Sequence, residues 1–505
     1  MKKKIALILI CALLATLSTL LMMRATDSGV GIQPDSITYI NAARNIIEGN
    51  GYVDAGGNAI THFPPLYPLL LSVTGFFNMD PRLGAKGLHI LLFSLNILAL
   101  FLAMVSMNRE RALLPPLLGA LIILGSPLSI NVFSMAMTES LFILLLIPGF
   151  ALLYRHLHSP ALWTIIAPAA LFSLAFLTRY AALPFILCAL ISLWIFSKGE
   201  KKEKLKDIFT FSFISFFPFL LWILRNKIAG ASATNRELVF HPPTMEHVKA
   251  AFYTFAGWAP PHNPRSALSV ILFFSALIIF TGLLFYGSKK PRGEEKREAL
   301  LFPKILLILA PLYLVFLFFS ISLADAQIPM NDRILSPLFI FTVIAFVLLA
   351  RATLRTKVAG ISASFICIVL ILFQFMHSYE LAEKYGRGRL YSSKLLQKSD
   401  IFKFINYLPE KAPIYSNGAD LISLYTGRQA RSIPFLYSPT TRKNNVNFIK
   451  EMNAVMRELG KENAVLVYFK VIRWRTYLPV EKELLKNMKL KVLYKSFEGT
   501  IYRLE

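Results

Sequence analysis

The chain has 505 residues, 55% of them hydrophobic and 16% charged, with 41 phenylalanines and a formal net charge of +25. A water-soluble chain of this length would divide into several domains and would not be this apolar. Its three cysteines, Cys11, Cys188 and Cys367, all fall within apolar runs, which argues against a disulfide framework or a Cys/His zinc site.

Apolar runs of about 20 residues recur along the chain, the length that a hydrocarbon core of roughly 30 Å demands of a helix. About eleven spans are predicted on that criterion, near 5–23, 84–107, 113–134, 139–154, 162–178, 180–197, 208–225, 267–287, 301–321, 334–350 and 358–376. The start has three lysines before an apolar run, like a secretory signal. No small-x-small site precedes Arg24, however, and Cys11 follows Ile10 where a lipoprotein site needs a small residue, so a retained first helix is expected.

Lysine and arginine gather in alternate loops: Lys2-Lys3-Lys4, Arg109 with Arg111, Arg155, 198–206, 289–297 and 351–357. Cytoplasmic loops carry that excess, so the N-terminus is expected inside and the other loops outside the cytoplasmic membrane. Anionic headgroups account for much of the basic charge. In 377–505 the cations are scattered among glutamates with no stripe, so no nucleic-acid partner is expected.

The first outside loop, 24–83, is too long for a simple connector. Within it, 35–48 has helical spacing (Ile37, Ile40, Ala43, Ile47) and stops at Gly49-Asn50-Gly51. After Thr61-His62-Phe63-Pro64-Pro65, the run 66–77 is apolar but too short to span, and Tyr67 favours an interfacial position. Two further outside loops are 226–266 and 322–336. From His377 onward the composition is that of a soluble domain. Helices are expected at 399–408, 419–425 and 446–459, strands at 412–416 and 464–469, and a closing hairpin at 489–495 and 500–504. The expected architecture is therefore an α-helical polytopic membrane bundle over 1–376, with a small extracytoplasmic α/β domain over 377–505.

Polar residues at the outside ends of the spans are the candidates for chemistry. Asp35 could cap a helix or act as general base toward a hydroxyl. Glu139 begins a span, where the helix dipole favours an acid; it could also orient the base or an acceptor. Arg179 lies between two apolar stretches, either snorkelling to headgroups or facing inward, where its fork suits a phosphate. Asp332 and Arg333 could form a local pair of little worth, or Arg333 could hold an anion at the water–lipid boundary. Asp325 shares their loop. His62 is either a surface residue or a lining of the cleft, whereas His241 and His262 beside prolines read as loop residues. There is no P-loop, Gly29-Val-Gly31 lacks the third glycine of a dinucleotide fingerprint, and no close aspartate pair suits a metal–nucleotide. A donor anchored in lipid fits an outside site better than a sugar nucleotide.

The order of these pieces resembles the GT-C superfamily of membrane glycosyltransferases, which includes protein O-mannosyltransferases and lipid A aminoarabinose transferases. The matching segments are Pro34-Asp35-Ser36, Phe63-Pro64-Pro65-Leu66-Tyr67-Pro68-Leu69, Met137-Thr138-Glu139-Ser140, Leu177-Thr178-Arg179-Tyr180 with Pro184, and Asp332-Arg333-Ile-Leu-Ser-Pro337. They cover roughly residues 1–345. Relatives often carry His or Lys directly before the Pro-Pro pair, where this chain has Phe63 with His62 one position earlier.

The resemblance implies an inverting transfer of sugar from a polyprenyl phosphate to a hydroxyl of a lipid, glycan or protein. It implies Asp35 as base; the leaving polyprenyl phosphate then needs cations to hold its growing charge, a task assigned here to Arg179 and Arg333 as the donor-phosphate site, with Glu139 as a catalytic partner that positions the acceptor or Asp35. Tyr39, His62, Asp325 and Asp332 are candidates for the cleft wall. No cofactor and no metal are expected. The alternatives are a lipid-linked glycan flippase or transporter, which would place its ionisable groups near the midplane in repeated halves, and a glycan polymerase or ligase using similar lipids. A non-catalytic assembly role would leave the long first loop and Arg179 without an explanation.

Overall fold

A computed structural model describes every residue except 109–111, 230–236, 260–265, 290–297 and 354–356. Arg109, Arg111, Arg355, His262 and the basic run 290–297 therefore lie outside the described residues. The helices are α1 (Lys2–Ala25), α2 (Pro34–Ile47), α3 (Leu66–Ser72), α4 (Pro81–Ser106), α5 (Leu114–Leu124), α6 (Pro127–Phe133) and α7 (Glu139–His158). They continue as α8 (Leu162–Phe176), α9 (Leu183–Phe196), α10 (Lys201–Ile228), α11 (Met245–Gly257), α12 (Ala267–Lys289), α13 (Leu301–Leu323), α14 (Asp332–Thr353) and α15 (Lys357–Gly386).

Among the described residues, eight helices are long and apolar enough to cross a membrane: α1, α4, α7, α10, α12, α13, α14 and α15. The protein is thus a multi-pass membrane bundle. The other expected spans are less regular. The run 113–134 is two helices, α5 and α6, meeting at 62°. Pro127 explains the bend, because proline removes a donor and disfavours the helical conformation at Ser126 before it. The freed carbonyls are satisfied by side chains, Ser129 Oγ donating to Ile123 O at 2.5 Å and Ser378 Oγ to Gly125 O at 2.6 Å. The run 162–178 forms only the 15 residues of α8. At 1.5 Å per residue it reaches ~22 Å, short of a full crossing.

Aromatic side chains fill the centre of the bundle. Phe150 lies within 5.0 Å, ring to ring, of both Phe172 and Phe341. Such edge-on pairs match the ring quadrupoles better than face-to-face stacks. Gly149 makes the approach possible, since a Cβ there would stand 3.1 Å from the Phe172 ring.

The last long helix runs through the composition change at His377 and stops at Gly386. Beyond it come α16 (Asp400–Tyr407), β1 (Ile414–Ser416), α17 (Ala419–Thr426), β2 (Arg431–Ser432) and α18 (Phe448–Leu459). The chain ends with β3 (Val465–Phe469), α19 (Glu481–Asn487), β4 (Leu490–Lys495) and β5 (Gly499–Leu504). The sheet order is β2-β1-β3-β5-β4, with β1 parallel to β2 and β3, and β5 antiparallel to β3 and β4. The expected strands and helices are present within a few residues. The short, exposed β2 and the helix α19 are additions that carried no clear period in the sequence.

This C-terminal unit is joined to the first loop by backbone pairing. Gly31 N–H donates to Ser134 O at 2.8 Å, and Ala136 N–H to Gly31 O at 2.9 Å. On the other edge, Tyr391 N–H donates to Ile32 O at 3.2 Å. These isolated parallel bridges make a short ribbon of three segments, and α2 begins two residues after Ile32 in its middle segment. The far end of α2 is held by Asn41 Nδ2 on Ser423 Oγ at 3.1 Å. Arg44 forks onto Asp80 at 2.8 and 3.2 Å.

Burial would raise the Asp80 carboxyl, but the hydrogen bond and charge of Arg44, with the N–H and charge of Arg82, together outweigh it and hold the group below the usual carboxylate range. A lowered folded value means stabilisation that is complete above the unfolded carboxylate value of about 4 and fades as pH falls through the folded one. The partial exposure of this pair keeps its contribution small. Asp80→Asn is therefore expected to lower the melting temperature slightly at neutral pH and to shrink its acid-side fall. An acid-side fall identical to wild type would remove this lock from the account.

Candidate active site

Four charged groups from four separate segments meet at one end of the bundle. Glu139 is the first residue of α7, and its side chain is 2% exposed. Arg179 occupies the junction between α8 and α9, just before a single 3-10 turn, Tyr180–Ala182. Because α8 and α9 are short, that junction is recessed and the Arg179 side chain is only 19% exposed. Arg333 is the second residue of α14, 20% exposed. Asp35 lies in the first turn of α2 and is the most open of the four at 37%.

Glu139 is the hub. Its Oε1 lies 2.6 Å from Arg179 Nη1 and 2.9 Å from Arg333 Nε. Neither Glu139 oxygen closes a hydrogen bond of good geometry with a described residue, and nor does Arg333 Nε. The contacts are close charge pairs that leave acceptor capacity on a buried carboxylate. Arg333 extends to Asp35 more loosely, Nη1 and Nη2 each standing 3.5 Å from Oδ2. Two carboxylates and two guanidiniums balance, so the desolvation of each is offset by an opposite charge.

A second layer orients the arginines. Thr138 Oγ1 accepts from Arg179 Nη1 at 2.8 Å, and Gln33 Oε1 accepts from Arg333 Nη1 at 3.0 Å. Gln33 and Thr138 flank the parallel ribbon, so the pairing of Gly31 with Ser134 and Ala136 sets the separation of Asp35 from Glu139. The expectation that Asp35 caps its helix is corrected here. Gln33 is the capping residue, its N–H donating to Ser36 Oγ at 3.1 Å, so the Asp35 carboxylate is not consumed by the helix end.

Tyr39, one turn further along α2, is buried beside the same groups. Burial first, then the Asp35 charge, pushes its phenol well above the usual value, so it remains a donor. Its ring packs on Phe63 and Tyr67 at 5.0 and 5.4 Å. This is the work of the Phe63-Pro64-Pro65-Leu66-Tyr67 segment, whose Leu66 N–H is anchored on Leu177 O at 3.0 Å, two residues before Arg179.

The remaining sequence candidates make other contacts. Asp332 and Arg333 do not form the local pair. Successive helical residues diverge by about 100°, and Asp332 instead accepts from Asn131 Nδ2 at 3.0 Å. Asn131 also accepts from Tyr385 OH at 2.5 Å, and its backbone carbonyl accepts from Arg389 at 2.8 Å. Asp325 accepts from the Gln327 N–H at 2.9 Å in its own turn. His62 packs its ring on Phe63, 4.2 Å between centres.

His89, fully buried within α4 and in electrostatic reach of Glu139, is absent from the sequence candidates. The Phe133 carbonyl, 3.0 Å from Nδ1, can only accept, so Nδ1 carries the proton and Nε2 accepts from Tyr67 OH at 2.8 Å. An ionisable residue inside an apolar span was the signal that would have found it. Gln33 and Thr138 carried no such signal. Among the described residues, no group of three or more His, Cys, Asp or Glu is arranged to hold a metal ion.

The bundle and the appended sheet have the GT-C fold that the motif order implied. The chain is similar to ArnT from Cupriavidus metallidurans bound to undecaprenyl phosphate, with a TM-score of 0.60, 14% identity and 97% of each chain covered. It is also similar to the oligosaccharyltransferase AglB from Archaeoglobus fulgidus in complex with an inhibitory peptide and a dolichol-phosphate. There the TM-score is 0.54 and the identity 12%, over 100% of this chain and 74% of that one. A third likeness is to the arabinofuranosyltransferase AftD from Mycobacteria, at a TM-score of 0.51 and 13% identity, covering 98% of this chain and 41% of that one. Neither a protein-family model nor a curated protein sequence matches the chain. At these identities the likeness is one of fold.

Proposed function

We propose that the protein is an inverting glycosyltransferase that moves a sugar from a polyprenyl phosphate to an acceptor hydroxyl on the outer face of the cytoplasmic membrane. The observation that carries this reading is the convergence of Arg179 and Arg333 on Glu139 with Asp35 at the open edge. Similarity in fold to a protein solved with undecaprenyl phosphate supports the lipid-linked donor. The lysine- and arginine-rich segments between alternate apolar runs of the sequence support the sidedness.

In this scheme Asp35 takes the proton of the acceptor hydroxyl as its oxygen attacks the anomeric carbon. The bond from that carbon to the phosphate oxygen breaks on the opposite face, and the phosphate leaves with one more negative charge. Arg179 and Arg333 hold that charge as it grows, in a recess where water screens it little. Glu139 keeps both guanidiniums parked and aimed before the donor arrives. Asp35, touched only at 3.5 Å, is the carboxylate freest to accept a proton. The two arginines supply the cationic charge, so the scheme calls for no metal or other cofactor. The acceptor is a lipid, glycan or protein.

The test is incubation of the purified protein with a panel of polyprenyl-phosphate sugars, scoring free polyprenyl phosphate. Transfer from a monosaccharide donor supports the scheme. Movement of intact lipid-linked glycan across vesicles, without release of polyprenyl phosphate, would favour a flippase. Activity only on preassembled chains would favour a polymerase or ligase.

A further inference from the structure

The C-terminal unit contains a second polar cluster that this scheme does not use. It lies at the carboxyl ends of the parallel strands β1 and β3. From β1 the chain leaves toward β2 on one side, and β3 lies on the other, so the order β2-β1-β3 reverses direction there. Open sheets of mixed helices and strands bind ligands in that crevice, because the connections diverge and leave a gap.

Three side chains line it. Arg475 Nη1 donates to Asn417 O at 2.7 Å, and Nη2 donates to Asp420 Oδ2 at 2.5 Å. Tyr391 OH stands close enough to Arg475 for a poorly aligned hydrogen-bonding contact and lies within electrostatic reach of Asp420, but no hydrogen bond of good geometry closes on its phenol. Among the described residues, Tyr391 OH, Asp420 Oδ1 and Arg475 Nε are all buried with no hydrogen-bond partner. Tyr391 is 5% exposed and the Arg475 side chain 10%, while Asp420 opens to the surface at 24%. Each unpartnered group costs free energy that a bound polar molecule would restore.

We propose that this crevice binds a neutral, hydroxyl-rich group, a sugar residue of the acceptor. The free groups are one donor, one acceptor and one hydroxyl that can do both, the complement of neighbouring sugar hydroxyls. An anion would meet the Asp420 charge and a cation the Arg475 charge. Trp474, 50% exposed and 4.8 Å from the Arg475 guanidinium, offers a ring face beside the opening. Tyr391 is also tied to the chemistry through the backbone, its N–H donating to Ile32 O, three residues before Asp35. Naming the sugar as the acceptor's rests on the glycosyl-transfer reading; the binding site itself does not.

The experiment uses the full-length protein in a detergent without a sugar headgroup. Methyl glycosides of glucose, galactose and mannose are titrated by saturation-transfer NMR, with glucuronate as the anionic control. At least one neutral glycoside is expected to bind and glucuronate is not. Tyr391→Phe is expected to weaken binding about tenfold with a nearly unchanged melting temperature, because the hydroxyl it removes closes no hydrogen bond of good geometry in the free protein. Trp474→Ala, at an exposed position, is expected to weaken it as well. Absence of glycoside binding, or wild-type affinity in Tyr391→Phe, would overturn the proposal and leave a trapped water as the partner. Glycoside binding with no release of polyprenyl phosphate from any donor would keep this site and sink the transferase reading.

Discussion

Asp35→Asn is expected to leave the protein folded, inserted and able to bind donor, while transfer falls by about 10²–10⁴-fold, the usual worth of a positioned base. Structure and chemistry separate cleanly at this position. Gln33, not Asp35, caps α2, and the contact with Arg333 is a loose 3.5 Å. Loss of a first-turn carboxylate costs at most about 1 kcal/mol through the helix dipole. The amide keeps the shape and surrenders the proton-accepting oxygen. The measurement is polyprenyl phosphate released per mole of purified enzyme, beside the melting temperature. Full activity in the variant would remove Asp35 from the mechanism and move attention to Glu139.

Arg179→Ala should act on both stability and function. It deprives a 2% exposed carboxylate of its 2.6 Å partner. Breaking a buried pair typically costs about 3–5 kcal/mol when the remaining charge stands alone. Arg333 still faces Glu139 at 2.9 Å, so the loss should fall below that range. Donor affinity should weaken more than acceptor affinity, and the chemical step should slow by about 10²–10³-fold if Arg179 carries transition-state charge. Adding Glu139→Gln to Arg179→Ala removes the orphaned charge. That double variant should regain stability without regaining transfer. Equal donor affinity in Arg179→Ala and wild type would return Arg179 to a purely structural role.

Much of this was legible from the sequence because membranes impose a simple solvent rule. Runs such as 301–321 and 334–350 have no soluble alternative, and their structure follows the hydropathy closely. Asp35, Glu139, Arg179 and Arg333 stood out for the same reason, as costly residues at the margins of apolar runs. Their neighbours did not. Gln33 and Thr138 are ordinary loop residues until the ribbon of Gly31 with Ser134 and Ala136 brings them beside the two arginines. Asp332 looked equivalent to the others by position, yet its carboxylate accepts from Asn131.

The amino-acid order alone determined that the chain threads a membrane many times, ends in a mixed sheet and gathers its ionisable groups at one set of helix ends. Hydrophobic transfer is a sum over local composition, so it can be read from one dimension. Only the tertiary structure decided which charges touch. Glu139 and Arg333 are 194 positions apart (333 − 139) and meet at 2.9 Å, because proximity between distant residues comes from helix packing and a few backbone hydrogen bonds. Backbone pairing of Tyr391 with Ile32 and the Asn41–Ser423 bond tie the C-terminal unit to both ends of α2, so a unit that reads as an appendage in sequence packs on the helix that carries Asp35.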